Sequence, residues 1–129
     1  VTNHSVIAFG MYTEDDMRAV HASLVITMEE AVTGVDKIYY CPHHENGTDP
    51  RYRKDCFDRK PKPGMILRAM ADFPVKRESS FLIGDKKTDI EAAHAAGIGG
   101  FLFTGGNLSQ FAEWALASYE DGLRRKQSA

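Results

Sequence analysis

The chain has 129 residues, with 16 Lys and Arg against 18 Asp and Glu, for a formal net charge of −2. That length suits one domain with a moderate core, and that charge leaves no basic stripe for nucleic acid or a membrane surface. No apolar run approaches the about 20 residues of a membrane span and no secretory signal opens the chain, so a cytoplasmic protein is expected.

In chain order, Val1 reads as the end of a strand, followed by a glycine-containing loop over 5–12. Thr13 with Asp16 three residues on approximates a capping box, and Glu14 opens a helix expected to run to Val32 and stop at Gly34. Its apolar spacing is Met17, Val20, Leu24, Met28 and Val32. Val35 to Tyr40 has strand composition. Cys41 to Pro61 is polar and rich in charge, without apolar periodicity; a loop of that length usually carries function or is stapled by a metal. Pro63-Gly64 opens a helix to about Asp72, and a strand is expected over 79–84. An Ala-rich helix over 88–96 stops at Gly97. A strand over 100–104 and a helix from Leu108 to about Tyr119 complete the chain, and the charged tail 121–129 is expected to fray.

Strands alternating with helices imply a mostly parallel sheet covered on both faces, the α/β class, whose ligands gather at the carboxyl ends of strands. Three polar clusters fall at such ends: Thr2-Asn3, Arg59-Lys60, and Asp85 to Asp89. They supply a hydroxyl and an amide, two cations, and two carboxylates. A phosphate monoester site needs this set, with donors on the phosphoryl oxygens and carboxylates holding Mg²⁺. Gly84 allows a tight turn after the apolar Phe81-Leu82-Ile83, and Asp89 falls in a helix's first turn, where the dipole favours it. The two cysteines, Cys41 and Cys56, could pair in a secreted protein; in a cytosolic enzyme they are expected as metal ligands or free thiols.

Val1-Thr2-Asn3, Arg59-Lys60-Pro61-Lys62-Pro63-Gly64-Met65 and Gly84-Asp85-Lys86-Lys87-Thr88-Asp89 resemble motifs II, III and IV of the haloacid dehalogenase (HAD) superfamily of phosphatases. Tyr40-Cys41-Pro42-His43-His44 and Phe103-Thr104-Gly105-Gly106-Asn107 are similar to its zinc-loop branch, which contains heptose 1,7-bisphosphate 7-phosphatases and histidinol-phosphatases. The resemblance implies a three-layer, doubly wound, Rossmann-like domain over 1–120 with a zinc loop at 41–58. It implies Mg²⁺ as cofactor, structural Zn²⁺, and a small-molecule sugar phosphate as substrate, acted on by a monomer.

By position, the resemblance gives Thr2 and Lys60 contacts to the transferring phosphoryl group. Asn3, Arg59 and Lys86 become substrate contacts, Asp85 the Mg²⁺ ligand, and Asp89 a group orienting the metal's water shell. Cys41, His43 and Cys56 become zinc ligands. The family's fourth, a cysteine, is replaced by Asp58, a harder ligand, and His44 is a rival for the position. Phe9 stands where the related loop usually has arginine.

The superfamily's motif I, an Asp-x-Asp pair on the central strand that supplies the nucleophile, does not occur near the start of these residues. A sheet lacking that N-terminal central strand is expected, and the 129 residues alone are expected to be inactive. Hydrolysis of histidinol phosphate, non-catalytic phosphate binding and a zinc-loop interaction module are the alternatives.

Overall fold

The computed structural model describes residues 1–3, 5–11, 13–30 and 35–128. These form two compact units, Val1–Arg59 and Lys60–Ala129.

In the first unit, β1 (Thr2–Asn3) pairs in parallel with β2 (Tyr40–Cys41), Thr2 opposite Tyr40 and Asn3 opposite Cys41. The strand expected over 35–40 thus narrows to two residues, because its partner is only two residues long. The stretch expected as open loop holds a helical turn, α1 (Ser5–Ala8), with Ile7 and Ala8 fully buried. The chain turns out of it at Gly10, whose φ is 73° and whose N–H donates to the Ile7 carbonyl.

The next helix, α2 (Glu14–Glu30), starts as its sequence dictates. Thr13 Oγ1 accepts the Asp16 N–H at 3.1 Å, and Asp16 Oδ2 accepts the Thr13 N–H at 3.0 Å, a reciprocal capping box. Thr13→Ala is expected to cost about 1 kcal/mol, read as a lowered urea midpoint with unchanged slope. The expected stop at Val32 and Gly34 lies outside the described residues. Met17 is buried, but Val20 is 55% exposed. A three-residue step turns the helix by about 300°, which puts Val20 at the edge of the apolar stripe.

The long loop after β2 lies against α1. The Asp49 N–H donates to the Ala8 carbonyl at 2.8 Å, and a Cβ at Gly47 would meet Ala8 atoms at 2.8 Å, so only glycine fits that crossing. Within the loop, His44 bridges to Arg53.

The second unit contains α3 (Gly64–Asp72), a 3₁₀ turn (Arg77–Ser79), β3 (Phe81–Gly84), α4 (Lys87–Ala95), β4 (Gly99–Leu102) and α5 (Leu108–Ser128). β3 and β4 run parallel, from Phe81 opposite Gly99 to Gly84 opposite Leu102. A parallel pair needs a crossover, and α4 supplies it. Leu82 packs against the cluster Ile66, Ala92, Ala93, Ala96 and Ile98. The aromatic side chains Phe81 and Phe101 instead meet Tyr119 and Trp114 of α5, with Phe81 and Phe101 edge to face at 5.4 Å. The unit is therefore layered α/β/α, with a parallel sheet of the class expected.

Several boundaries differ from expectation. Residues 79 and 80 are lost from β3 because the chain is still leaving the 3₁₀ turn. β4 starts one residue early and ends at Leu102, opposite the last residue of β3. The tail expected to fray from Asp121 continues α5 to Ser128, with an Arg125–Asp121 ion pair of 3.1 Å one turn apart. The glycine stop of α4 holds, with Gly97 at φ 80°. No described helix is long and apolar enough to cross a membrane.

Candidate functional site

At the carboxyl end of β3 the chain turns sharply into α4. Asp89, in the first turn of α4, is 5% exposed. It can sit over the strand end because residue 84 is glycine: a Cβ there would lie 2.3 Å from the Asp89 Cβ. Its Oδ1 ion-pairs with Lys60 Nζ, and the two side chains are only 12% and 7% exposed, lysine first. Its Oδ2 accepts the Lys86 N–H at 3.1 Å. Burial pushes the Asp89 carboxyl up, but the Lys60 hydrogen bond and charge, with the N–H groups of Lys86 and Asp85, outweigh burial and hold it below the usual carboxylate range.

The resemblance gives Asp89 to a metal's water shell; in the structure both of its oxygens are engaged by protein groups. Asp85 and the Lys86 side chain stand exposed beside it. An exposed carboxylate at a strand's carboxyl end suits a hard cation bound through oxygen.

Cys41, His43 and Cys56 form a second cluster, their ligand atoms all within 4.8 Å of one another. β2 fixes Cys41 opposite Asn3, and the two-residue step brings the His43 Nδ1 to 3.9 Å from the Cys41 Sγ. Ligand atoms of a tetrahedral zinc site lie about 3.3–3.8 Å apart, given bonds of about 2.0–2.3 Å, so two sulfurs and one imidazole at this spacing fit the ion. Burial pushes the Cys41 thiol up to about 11, so a bound cation must displace its proton. Burial, then the Lys54 charge, pulls His43 down and keeps its ring neutral, the form a metal binds.

Asp58 and His44 lie outside this cluster. Asp58 is near enough for its charge to raise both Cys41 and His43. His44 is engaged elsewhere: its Nδ1 accepts the Asn46 N–H at 3.0 Å, and its ring lies 5.1 Å from that of Phe9.

Thr2 and Asn3 are half-buried on β1, beside β2. The Arg59 N–H donates to the Cys56 carbonyl at 3.0 Å. Its Nη1 is buried and has no hydrogen-bond partner among the described residues. A guanidinium N–H held dry and unpaired is costly, and an anion is its natural complement.

One feature escapes any reading of spacing alone. A groove of about 420 Å³ in the first unit is lined by Thr13, Glu14, Arg18, Arg51 and Tyr52, among others. Glu14 Oε2 accepts from the Tyr40 hydroxyl at 3.1 Å and from Arg18 at 2.9 Å. The helical step from Glu14 to Arg18 signals the second contact, whereas nothing local signals the first.

The HAD-hydrolase-like family profile matches residues 57–120. A D-glycero-β-D-manno-heptose-1,7-bisphosphate 7-phosphatase of Rhodopseudomonas palustris is 44% identical over 116 residues, covering 90% of this chain and 64% of that protein. The enzyme of the same name from Escherichia coli O6:H1 is 36% identical over 127 residues, covering 94% of this chain and 67% of that protein. The chain thus spans 64% of the first of these relatives and 67% of the second, and about half of others of the same name. A crystal structure of D,D-heptose 1,7-bisphosphate phosphatase from B. bronchiseptica, complexed with magnesium and phosphate, shares the fold. Its TM-score is 0.71 at 24% identity, covering 95% of this chain and 72% of that one. With the motif order and the α/β/α layering, these similarities show that the chain belongs to the HAD-like phosphatases, in the D-glycero-β-D-manno-heptose-1,7-bisphosphate 7-phosphatase family.

Proposed function

We propose that these residues serve a cytoplasmic, Mg²⁺-dependent phosphate monoester hydrolase whose substrate is D-glycero-D-manno-heptose 1,7-bisphosphate. The observation that carries this reading is the buried Lys60–Asp89 pair at the carboxyl end of β3, beside the exposed Asp85. A lysine locked in place by a carboxylate presents its charge without reorganising, which is how a site stabilises phosphoryl oxygens as their charge develops. The names of the relatives support the substrate, and the magnesium and phosphate bound by the structural neighbour support the ion.

In this reading Asp85 holds the ion, which when bound shares the charge on the phosphoryl oxygens. Lys60 neutralises a phosphoryl oxygen, with Asp89 fixing its reach. Arg59 offers its unpaired Nη1 to a substrate phosphate. The resemblance gives Thr2 a hydroxyl contact to the phosphoryl group, and Asn3 and Lys86 further polar contacts. The resemblance gives the nucleophile to an Asp-x-Asp pair, and no such pair occurs in these 129 residues. The 129 residues by themselves are therefore expected to release no phosphate.

Phosphate release from the heptose bisphosphate and from histidinol phosphate tests the assignment, measured on this chain and on one extended upstream by an Asp-x-Asp segment. The extended protein should turn over the heptose ester only with Mg²⁺. Lys60→Ala or Asp85→Ala should each lower kcat by at least about 10²–10³-fold, the loss typical for one stabilising group. Unaltered rates in both variants would overturn these roles. A preference for histidinol phosphate would overturn the substrate.

We also propose one structural zinc per chain at Cys41, His43 and Cys56, with Asp58 completing the tetrahedron. The support is the cluster's spacing and the Asp58 charge felt by two of its members. Asp58→Cys should slow zinc loss to a chelator, since a thiolate suits zinc better than a carboxylate. Elemental analysis that finds no zinc after growth in zinc-supplemented medium would defeat the proposal.

A further inference from the structure

We propose that Cys41 and Cys56 are a thiol-oxidation site, at which a peroxide converts the pair to an intrachain disulfide that holds the loop 42–55 in place of a metal ion. Both cysteines are free thiols, and their sulfurs lie within 4.8 Å of each other. Cys41 is anchored on β2, and Cys56 sits on a segment tied back by the Arg59 N–H. Of the residues between them, only Pro42 and Gly47 are buried, so the loop has little core of its own and is held by backbone hydrogen bonds and by whatever joins its two ends.

The exposures set the order of events. Cys41 is 0% exposed and Cys56 is 7% exposed, so a small oxidant meets Cys56 first. The Cys56 sulfur attacks one oxygen of hydrogen peroxide, the O–O bond breaks, and a sulfenic acid and one water form. The Cys41 sulfur then displaces the sulfenic oxygen, which leaves as a second water once it has taken up a proton, and the S–S bond closes. Two thiols and one peroxide become one disulfide and two waters; the sulfurs are oxidised and the peroxide oxygens reduced. Closure needs the sulfurs to approach to about 2.05 Å, a movement that side-chain rotation with a small shift of the Cys56 backbone can supply.

Metal and disulfide exclude each other, because sulfurs joined to one another have no thiolate to donate. Oxidation therefore releases a bound ion, and a bound ion protects the thiols. Only two sulfurs stand in the set, so that protection is weaker than a thiolate-rich site would give. The disulfide does not depend on the phosphatase reading, because it needs no substrate and no turnover.

The test uses the 129-residue chain, metal-free and zinc-loaded, treated with hydrogen peroxide and quenched in acid. Intact mass and thiol titration under denaturing conditions should show the metal-free chain losing two hydrogens and both thiols. The rate should be independent of protein concentration, and dithiothreitol should restore both thiols. Zinc-loaded chain should react more slowly, with release of zinc to a colorimetric indicator matching disulfide formed. Cys41→Ser and Cys56→Ser should each abolish the intrachain product, and Cys41→Ser should instead accumulate a sulfenic acid at Cys56 trapped by dimedone. Retention of both thiols in peroxide-treated metal-free chain would overturn the proposal. So would a disulfide found only between chains on non-reducing gels.

Discussion

Asp89→Ala is expected to cost the folded chain about 3–5 kcal/mol, because it strips a buried Lys60 ammonium of its counter-charge. The pair's net worth is smaller than that figure. Removing both charges together, as in Lys60→Met with Asp89→Leu, should recover much of the loss, since neither charge of the pair is then buried without the other. Urea unfolding of the two single variants and the double variant measures the difference. Single variants within about 1 kcal/mol of the parent would mean that water reaches the pair and that its burial is not energetic.

The same carboxylate sets an acid limit on stability. Asp89 is held below the ordinary carboxyl range, so in the folded state it binds its proton later than in the unfolded chain. Its contribution is therefore fully present above the unfolded value of about 4, and it is lost as pH falls through the lower folded value. Asp89→Asn, which has no proton to take up, should show a shallower fall in urea midpoint over that acid range while starting from a lower midpoint at neutral pH.

Gly84→Ala is the second large effect expected. The new methyl carbon would sit 2.3 Å from the Asp89 Cβ and 2.6 Å from its Cγ, closer than nonbonded atoms approach. Those atoms lie at the root of the side chain and cannot swing away, so α4 must lift from the end of β3. Overpacking of this kind costs about 1–3 kcal/mol, and lifting Asp89 also loosens its hold on Lys60. The substitution should lower stability and also increase the rate at which Lys60 is modified by an amine-reactive reagent. Lost stability with unchanged Lys60 reactivity would separate the packing role of Gly84 from the ion pair.

Features whose partners lie within a helical turn or a tight loop were legible in the residue spacing. Thr13 and Asp16 are three residues apart, and their reciprocal caps formed as that spacing predicts. The Ala-rich segment stopping at Gly97 became α4, because a glycine at positive φ ends a helix wherever it stands. Cys41 and His43 are near neighbours, and the order of the motifs was enough to place the chain among HAD-like phosphatases.

Pairings across long stretches of chain were not legible and came from packing. Lys60 reaches Asp89 across 29 residues, and Cys56 returns to Cys41 at the far end of a loop whose composition says nothing of where it goes. The burial of the Arg59 Nη1, with no hydrogen-bond partner among the described residues, likewise depends on packing. Strand lengths belong here too: the expected strand over 35–40 shrank to Tyr40–Cys41 and β4 ended at Leu102, because a strand extends only as far as its neighbour offers hydrogen bonds. Local geometry is fixed by the chain's own spacing, whereas a buried charge or a sheet edge is fixed by whichever distant residue the packing delivers to it.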